Sequence, residues 1–158
     1  MHYWGILKTS FVNGDGCRTV IFLSGCNHNC EGCHNPESHN MRYGDTFTSN
    51  TMKELFESLD RPQIDGLTLS GGDPMFPKSR PAVRAICKAF RKRYGNSKTI
   101  WMYTGYATEE LKGEPCLDLV DVVVDGRYIK DLPPTIYRGS NNQRIWRKKE
   151  GVWRADEN

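Results

Sequence analysis

The chain has 158 residues, enough for one compact core and short for two ordinary domains. Its 37% apolar and 26% charged residues are ordinary for a soluble globular protein, and a net charge of +3 does not argue for nucleic acid. No apolar run approaches a membrane span, and the opening MHYWGILKTSF lacks a basic segment followed by an apolar one, so a cytoplasmic setting is expected.

In chain order, Arg18 to Ser24 is dense in β-branched and aromatic residues and reads as a buried strand. Thr51 to Leu59 places Met52, Leu55, Phe56 and Leu59 on one face of an amphipathic helix. Asp65 to Ser70 reads as a short strand that stops at Gly71-Gly72. Ser79 then offers an N-cap, with Pro81 in the first turn of a second helix that turns Val83, Ile86 and Phe90 inward. Arg91-Lys92-Arg93 before Gly95 suits the C-terminus of that helix. Thr99 to Tyr103 reads as another strand, followed by Thr104-Gly105-Tyr106 and a short helical stretch from Thr108 to Leu111. Leu119 to Asp125 is the clearest buried strand and ends at Gly126. After Pro133-Pro134 the pattern breaks up, so 131–158 is expected to be a less regular segment, of loop with short strands, within one domain spanning 1–158.

Strands alternating with helices or long connections favour a parallel α/β sheet. The loops at the C-terminal ends of such strands share one face, where ligands bind. Gly25-Cys26, Gly71-Gly72-Asp73, Thr104-Gly105 and Gly126-Arg127 would therefore converge.

Six cysteines in a reducing compartment are not read as three disulfides. Three of them fall in GCNHNCEGCHN as Cys26-x3-Cys30-x2-Cys33, directly after a strand. Thiolates ligate both zinc and iron–sulfur clusters, and a structural zinc site wants four closed ligands. Cys17 lies beyond the Arg18 to Ser24 strand, about 20 Å away at ~3.3 Å per residue. His34, adjacent to Cys33, would share an ion only with strain; His28 and the distant Cys116 stay open as fourth ligands. The spacing favours a three-thiolate [4Fe–4S] cluster, with one iron open to a small molecule, over structural zinc. Cys87, beside Ile86 and near Phe90, reads as core packing.

TLSGGDP supplies the second motif. Gly71 and Gly72 let backbone approach a ligand, and the Asp73 carboxylate can pair with an ammonium. The competing reading is a turn, with Asp73 as N-cap and Pro74 at the first helical position. Beside the cysteine loop the ligand reading is favoured. Thr104 and Tyr106 can line the same site or serve as core and rim, and Asp125 is either a site residue or a turn former. The basic clusters at Arg91 to Arg93 and around Arg144 to Lys149 read as solvated surface, with Trp146 and Trp153 as packing, so no nucleic-acid partner is expected.

With these residues in view, the chain resembles the radical S-adenosylmethionine superfamily, and within it the small glycyl-radical activases that serve anaerobic ribonucleotide reductases. The likeness rests on Cys26-x3-Cys30-x2-Cys33 after an early strand, NGDGCRTVIFLSG before it, TLSGGDP, WMYTGY, VDVVVDGRY and RGSNNQR. It implies an incomplete (β/α) barrel. It also implies a [4Fe–4S] cluster on Cys26, Cys30 and Cys33, with S-adenosylmethionine held near Gly32, Cys33, His34, Gly72 and Asp73. An external electron donor, such as a flavodoxin-like protein, would reduce the cluster. The 5′-deoxyadenosyl radical released from S-adenosylmethionine would then abstract hydrogen from a glycine of the anaerobic ribonucleoside-triphosphate reductase large subunit. No acid–base pair is required. The residue before the third cysteine is often aromatic in the superfamily and packs on the adenine; here it is Gly32, which leaves His34 or nearby backbone to contribute. A formate-lyase-type activase is the rival within the superfamily, usually with a longer chain, and a zinc-stabilised binding module is the rival outside it.

Overall fold

A computed structural model describes residues 1–157. Among these, β1 (His2–Ser10), β2 (Arg18–Leu23), β3 (Asp45–Thr46), β4 (Gly66–Gly71), β5 (Thr99–Tyr103), β6 (Val122–Asp125), β7 (Arg144–Lys149) and β8 (Val152–Ala155) form one mixed sheet in the order β3-β1-β2-β4-β5-β6-β7-β8. The central four, β2, β4, β5 and β6, run parallel. Antiparallel strands flank them on both sides, and β3 and β8 end the sheet without pairing to each other. The expected parallel α/β core is therefore present inside a mixed α/β sheet. No helix of the described chain is long and apolar enough to cross a membrane.

Two helices cover one face. α1 (Ser49–Leu59) starts where the Thr48 hydroxyl accepts from the Thr51 amide and the Thr51 hydroxyl accepts from the Thr48 amide at 3.0 Å. α2 (Arg80–Tyr94) ends at Gly95, whose φ of 54° lies in the left-handed region. Leu55 and Leu59 of α1 and Val83, Ile86 and Phe90 of α2 bury completely with Ile21, Leu67, Ile100 and Val123 of the sheet. This apolar layer is the main folding drive.

The opposite face is covered by chain rather than helix. Arg18 is fully buried there, donating to Thr68 Oγ1 at 2.9 Å, Thr99 Oγ1 at 3.0 Å, and the carbonyls of Asp15, Leu67 and Thr99 at 3.1, 2.9 and 2.9 Å. Burial lowers its pKa to about 10, which leaves it charged near neutrality. The loop 11–17 lies across this face: Thr68 Oγ1 donates to the Asn13 carbonyl at 2.6 Å. A Cβ on Gly14 would meet the Trp101 ring at 2.6 Å, so only glycine lets the loop seat so closely.

Several expectations are corrected. The strand expected over Leu119 to Asp125 begins at Val122, because Pro115–Asp118 forms a 3-10 turn and Leu119 follows it. Its apolar residues pack as connection, not strand. Ser79 precedes α2 but makes no side-chain cap, since a 3-10 turn over Pro77–Ser79 leads into the helix. The short strands of the C-terminal stretch form the hairpin β7–β8, turned at Glu150 and Gly151, both with positive φ. β1 was not anticipated. We expect Arg18→Met to lower stability in urea by about 3 kcal/mol, since its acceptors would be left buried and unpaired. A loss below about 1 kcal/mol would contradict the role given to this network.

Candidate metal and cofactor site

The site grows from the ends of the parallel strands. After β2, Gly25 turns with φ 111°, where a Cβ would strike the Phe76 ring at 2.8 Å. The Gly25 amide donates to Ser38 O at 2.7 Å and the Cys26 amide to His39 O at 3.3 Å, which clasps the base of the cysteine loop. Asn29 and Gly32 adopt positive φ, and the Cys33 amide closes a turn onto Cys30 O at 3.2 Å. These bends let one short segment turn Cys26, Cys30 and Cys33 toward a cavity of about 380 Å³. All three are half-buried and none is in a disulfide.

The loop after β4 is packed directly on this segment. The Gly72 amide donates to Leu23 O at 2.6 Å, and the Asp73 amide to Gly25 O at 2.8 Å. A Cβ on Gly72 would lie 2.6 Å from Gly25 O and 2.7 Å from Ser38 O. The double glycine is thus required by backbone meeting backbone, while Ser70, Gly71 and Gly72 also line the cavity.

Asp73 itself is turned inward and is 1% exposed. Its carboxylate accepts from the Met75 amide at 2.8 Å, the Thr104 hydroxyl at 2.8 and 3.1 Å, and the Gly105 amide at 2.9 Å. His28 Nε2 lies 2.6 Å from the same carboxylate. Asp73 is therefore not the N-cap of a following helix, which starts only at Arg80. Its side chain ties the loops after β2, β4 and β5 together. Thr104 lines the cavity as well as holding Asp73, whereas Tyr106 packs edge-on against His28 with centroids 4.6 Å apart. A side chain on Gly105 would enter the His28 ring.

His28 carries the contact that motif reading missed. The sequence offered it only as a possible fourth ligand. Its ring nitrogen, Cys26 Sγ and an Asp73 oxygen do lie within 4.8 Å of one another. Yet His28 and Asp73 are already hydrogen-bonded to each other, and Asp73 has further donors of its own, so the trio reads as a positioning network. The other cysteines stand apart from the cavity. Cys17 sits at the far end of β2, its amide donating to Asp65 Oδ2 at 2.8 Å. Cys87 and Cys116 are buried in the core, and burial pushes their thiols up to about 12 and about 11. They behave as small apolar side chains.

Three thiols, half-buried on one loop and facing one cavity, form an all-sulfur donor set that suits an iron–sulfur cluster. Burial raises the Cys26 thiol to about 11, with an opposing hydrogen bond from the His28 backbone. It is neutral at pH 7 in the free protein, so metal binding must expel its proton.

The loop after β6 closes the cavity. Asp125 is buried and accepts from the Thr108 amide at 2.7 Å and from Arg144 Nε and Nη2 at 3.0 and 2.6 Å. Gln143 accepts from the amides of Gly139 and Ser140 at 2.9 and 3.2 Å and donates to Gly126 O at 3.0 Å. The polar run Arg138 to Arg144 is thereby the internal bracing of this loop. His34 lines the cavity with its ring 5.2 Å from that of Tyr128, and Gly32 abuts Lys130. Trp146 and Trp153 pack against the core, with Arg144 and Lys148 over their rings.

The model of the 4Fe-4S single cluster domain family matches residues 12–146. The anaerobic ribonucleoside-triphosphate reductase-activating protein of Enterobacteria phage T4 is 46% identical over 157 residues, covering 99% of this chain and 100% of that protein. The protein of the same name from Escherichia coli K12 is 36% identical, covering 90% and 96%. That from Pasteurella multocida is 35% identical, covering 93% and 98%. With a cysteine-lined cavity of matching chemistry, the chain belongs to the family of anaerobic ribonucleoside-triphosphate reductase-activating proteins, built on a 4Fe-4S single cluster domain.

Proposed function

We propose that this protein holds a [4Fe–4S] cluster on Cys26, Cys30 and Cys33, binds S-adenosylmethionine beside it, and generates a glycyl radical on an anaerobic ribonucleoside-triphosphate reductase. The observation that carries this reading is one cavity lined by both the three thiols and the strand-end backbone at Ser70, Gly71 and Gly72. The shared name of the relatives supports the choice of partner. The single open sheet, 1–158 in one domain, is read as an incomplete barrel whose missing wall leaves room for that partner.

A bound cluster, reduced by an external donor such as a flavodoxin-like protein, would supply the one-electron chemistry that cleaves the sulfonium of S-adenosylmethionine and so permits hydrogen abstraction from a partner glycine. The residues of this chain bind and position. The three cysteines would hold the cluster as thiolates, and a three-ligand set would leave it open to the amino-acid end of S-adenosylmethionine. The backbone of Gly71 and Gly72 faces that end, with Gly32 and His34 on the opposing loop. Asp73, already saturated by donors, acts by holding His28, Thr104 and Gly105 in register. The loop 11–17 covers part of the sheet's open face, and its Asn13 lines the cavity. A cytoplasmic setting fits the free thiols.

Replacing any one of Cys26, Cys30 or Cys33 with Ala should abolish formation of 5′-deoxyadenosine under anaerobic reduction; full cleavage by such a variant would overturn the assignment. Wild-type protein, loaded and reduced, should give a glycyl radical signal by electron paramagnetic resonance when mixed with the reductase. Gly105→Ala should displace His28 and weaken retention of iron about tenfold, with far-ultraviolet circular dichroism unchanged. Full iron retention by that variant would separate the His28–Asp73 contact from cluster binding.

A further inference from the structure

The cysteine loop leaves β2, yet it does not stay over the end of β2. It arches across the strand ends to the loop after β6, where Glu31 pairs with Lys130 at 2.7 Å. A Cβ on Gly32 would meet Lys130 Cβ and Cδ at 3.0 Å each, so the lysine's carbon chain lies over this glycine. Two residues before Lys130, the Tyr128 ring lines the cavity beside His34, their centroids 5.2 Å apart and their planes inclined at 52°. Beside the tyrosine, a Cβ on Gly139 would stand 3.3 Å from Tyr128 Cδ1. The ring thus sits between the Gly139 backbone, which lines the cavity with it, and the His34 imidazole.

Tyr128 belongs neither to the Asp73 network nor to the cysteine ligand set. Tyr103, the other phenol on the cavity wall, is committed to packing with Trp101, Val122, Val124 and Ile145. Tyr128 sits on the loop that follows β6, two strands and roughly 10 Å across the sheet from the Gly71–Gly72 backbone. A ligand with a charged amino-acid end at the glycines and a flat aromatic end at Tyr128 would span the cavity. Heteroaromatic rings gain from stacking on tyrosine and imidazole faces.

We propose that Tyr128, supported by His34 and Gly139, is the seat of the adenine of S-adenosylmethionine. This rests on the function proposed above. The geometry gives the seat to the loop after β6 and not to the cysteine loop itself, whose residue 32 has no side chain. It also explains the bracing of that loop: Gln143 and Ser140 fix the turn that carries Gly139 against the ring.

The test uses cluster-loaded protein and equilibrium dialysis with two probes, S-adenosylmethionine and methionine, alongside iron and sulfide analysis. Tyr128→Phe should bind both probes within about twofold of wild type, keeping the ring face. Tyr128→Leu, which fills similar space without a π face, should weaken S-adenosylmethionine about tenfold or more and leave methionine unchanged. Unchanged S-adenosylmethionine affinity in the Leu variant overturns the proposal. So does an equal loss for both probes, or loss of the cluster, either of which would make Tyr128 a structural prop of the loop. If wild-type protein keeps its cluster but binds no S-adenosylmethionine, the underlying function fails and this seat with it. If wild type binds S-adenosylmethionine and the Leu variant matches it, only the seat fails.

Discussion

One buried carboxylate organises the site. Asp73 is withdrawn from water, and a charge so placed persists only when its oxygens are fully engaged. Its donors come from three separate strand-end loops: an imidazole from the loop after β2, an amide from its own loop, and a hydroxyl and an amide from the loop after β5. None of these loops can shift alone without stranding a polar group in a dry interior. The cost of such a fault is on the order of 1–3 kcal/mol per group. The cysteine loop, glycine-bearing and without secondary structure of its own, has few such ties. Through His28 it inherits the rigidity of the sheet.

The two faces of the sheet divide the labour. The helix face is ordinary apolar packing. The other face is polar at its centre, around Arg18, and is filled by a loop instead of a helix. That economy lets a short chain frame the cavity: the loop 11–17 contributes Asn13 and the loop after β6 contributes Gly126 and Tyr128. The β7–β8 hairpin then finishes the sheet with basic residues whose partners lie in the body of the protein. Arg147 joins Asp15 at 2.5 Å, and Arg144 joins Asp125 at 2.6 Å.

How much of this was legible depended on the kind of signal. β2 announced itself because Arg18–Leu23 is buried along nearly its whole length and is written in β-branched and aromatic residues. The cysteine spacing was equally plain, since chemistry restricts what three close thiols can hold. β1 escaped because HYWGILKTS is half-exposed and shows no strict alternation. β7 was hidden by its own charge: RIWRKK reads as solvated tail, yet its basic side chains lie across aromatic rings and reach carboxylates. Leu119 and Val120 misled in the opposite sense, as apolar residues that serve a turn. The His28–Asp73 pairing joins positions far apart in the chain, and only the parallel order of β2 and β4 brings them together. Of the signals present, GGDP marked the right place; the role of its aspartate had to await its neighbours.

Gly72 carries a consequence for how such proteins diverge. Its position is set by two carbonyl oxygens that leave no room for a methyl group, whether or not any ligand is bound. Selection on the fold and selection on the chemistry therefore act on the same residue. A descendant that gave up the cluster but kept this sheet would lose its cysteines freely and still retain the glycine. The double glycine would be the fossil of the architecture, and the thiols the record of the reaction.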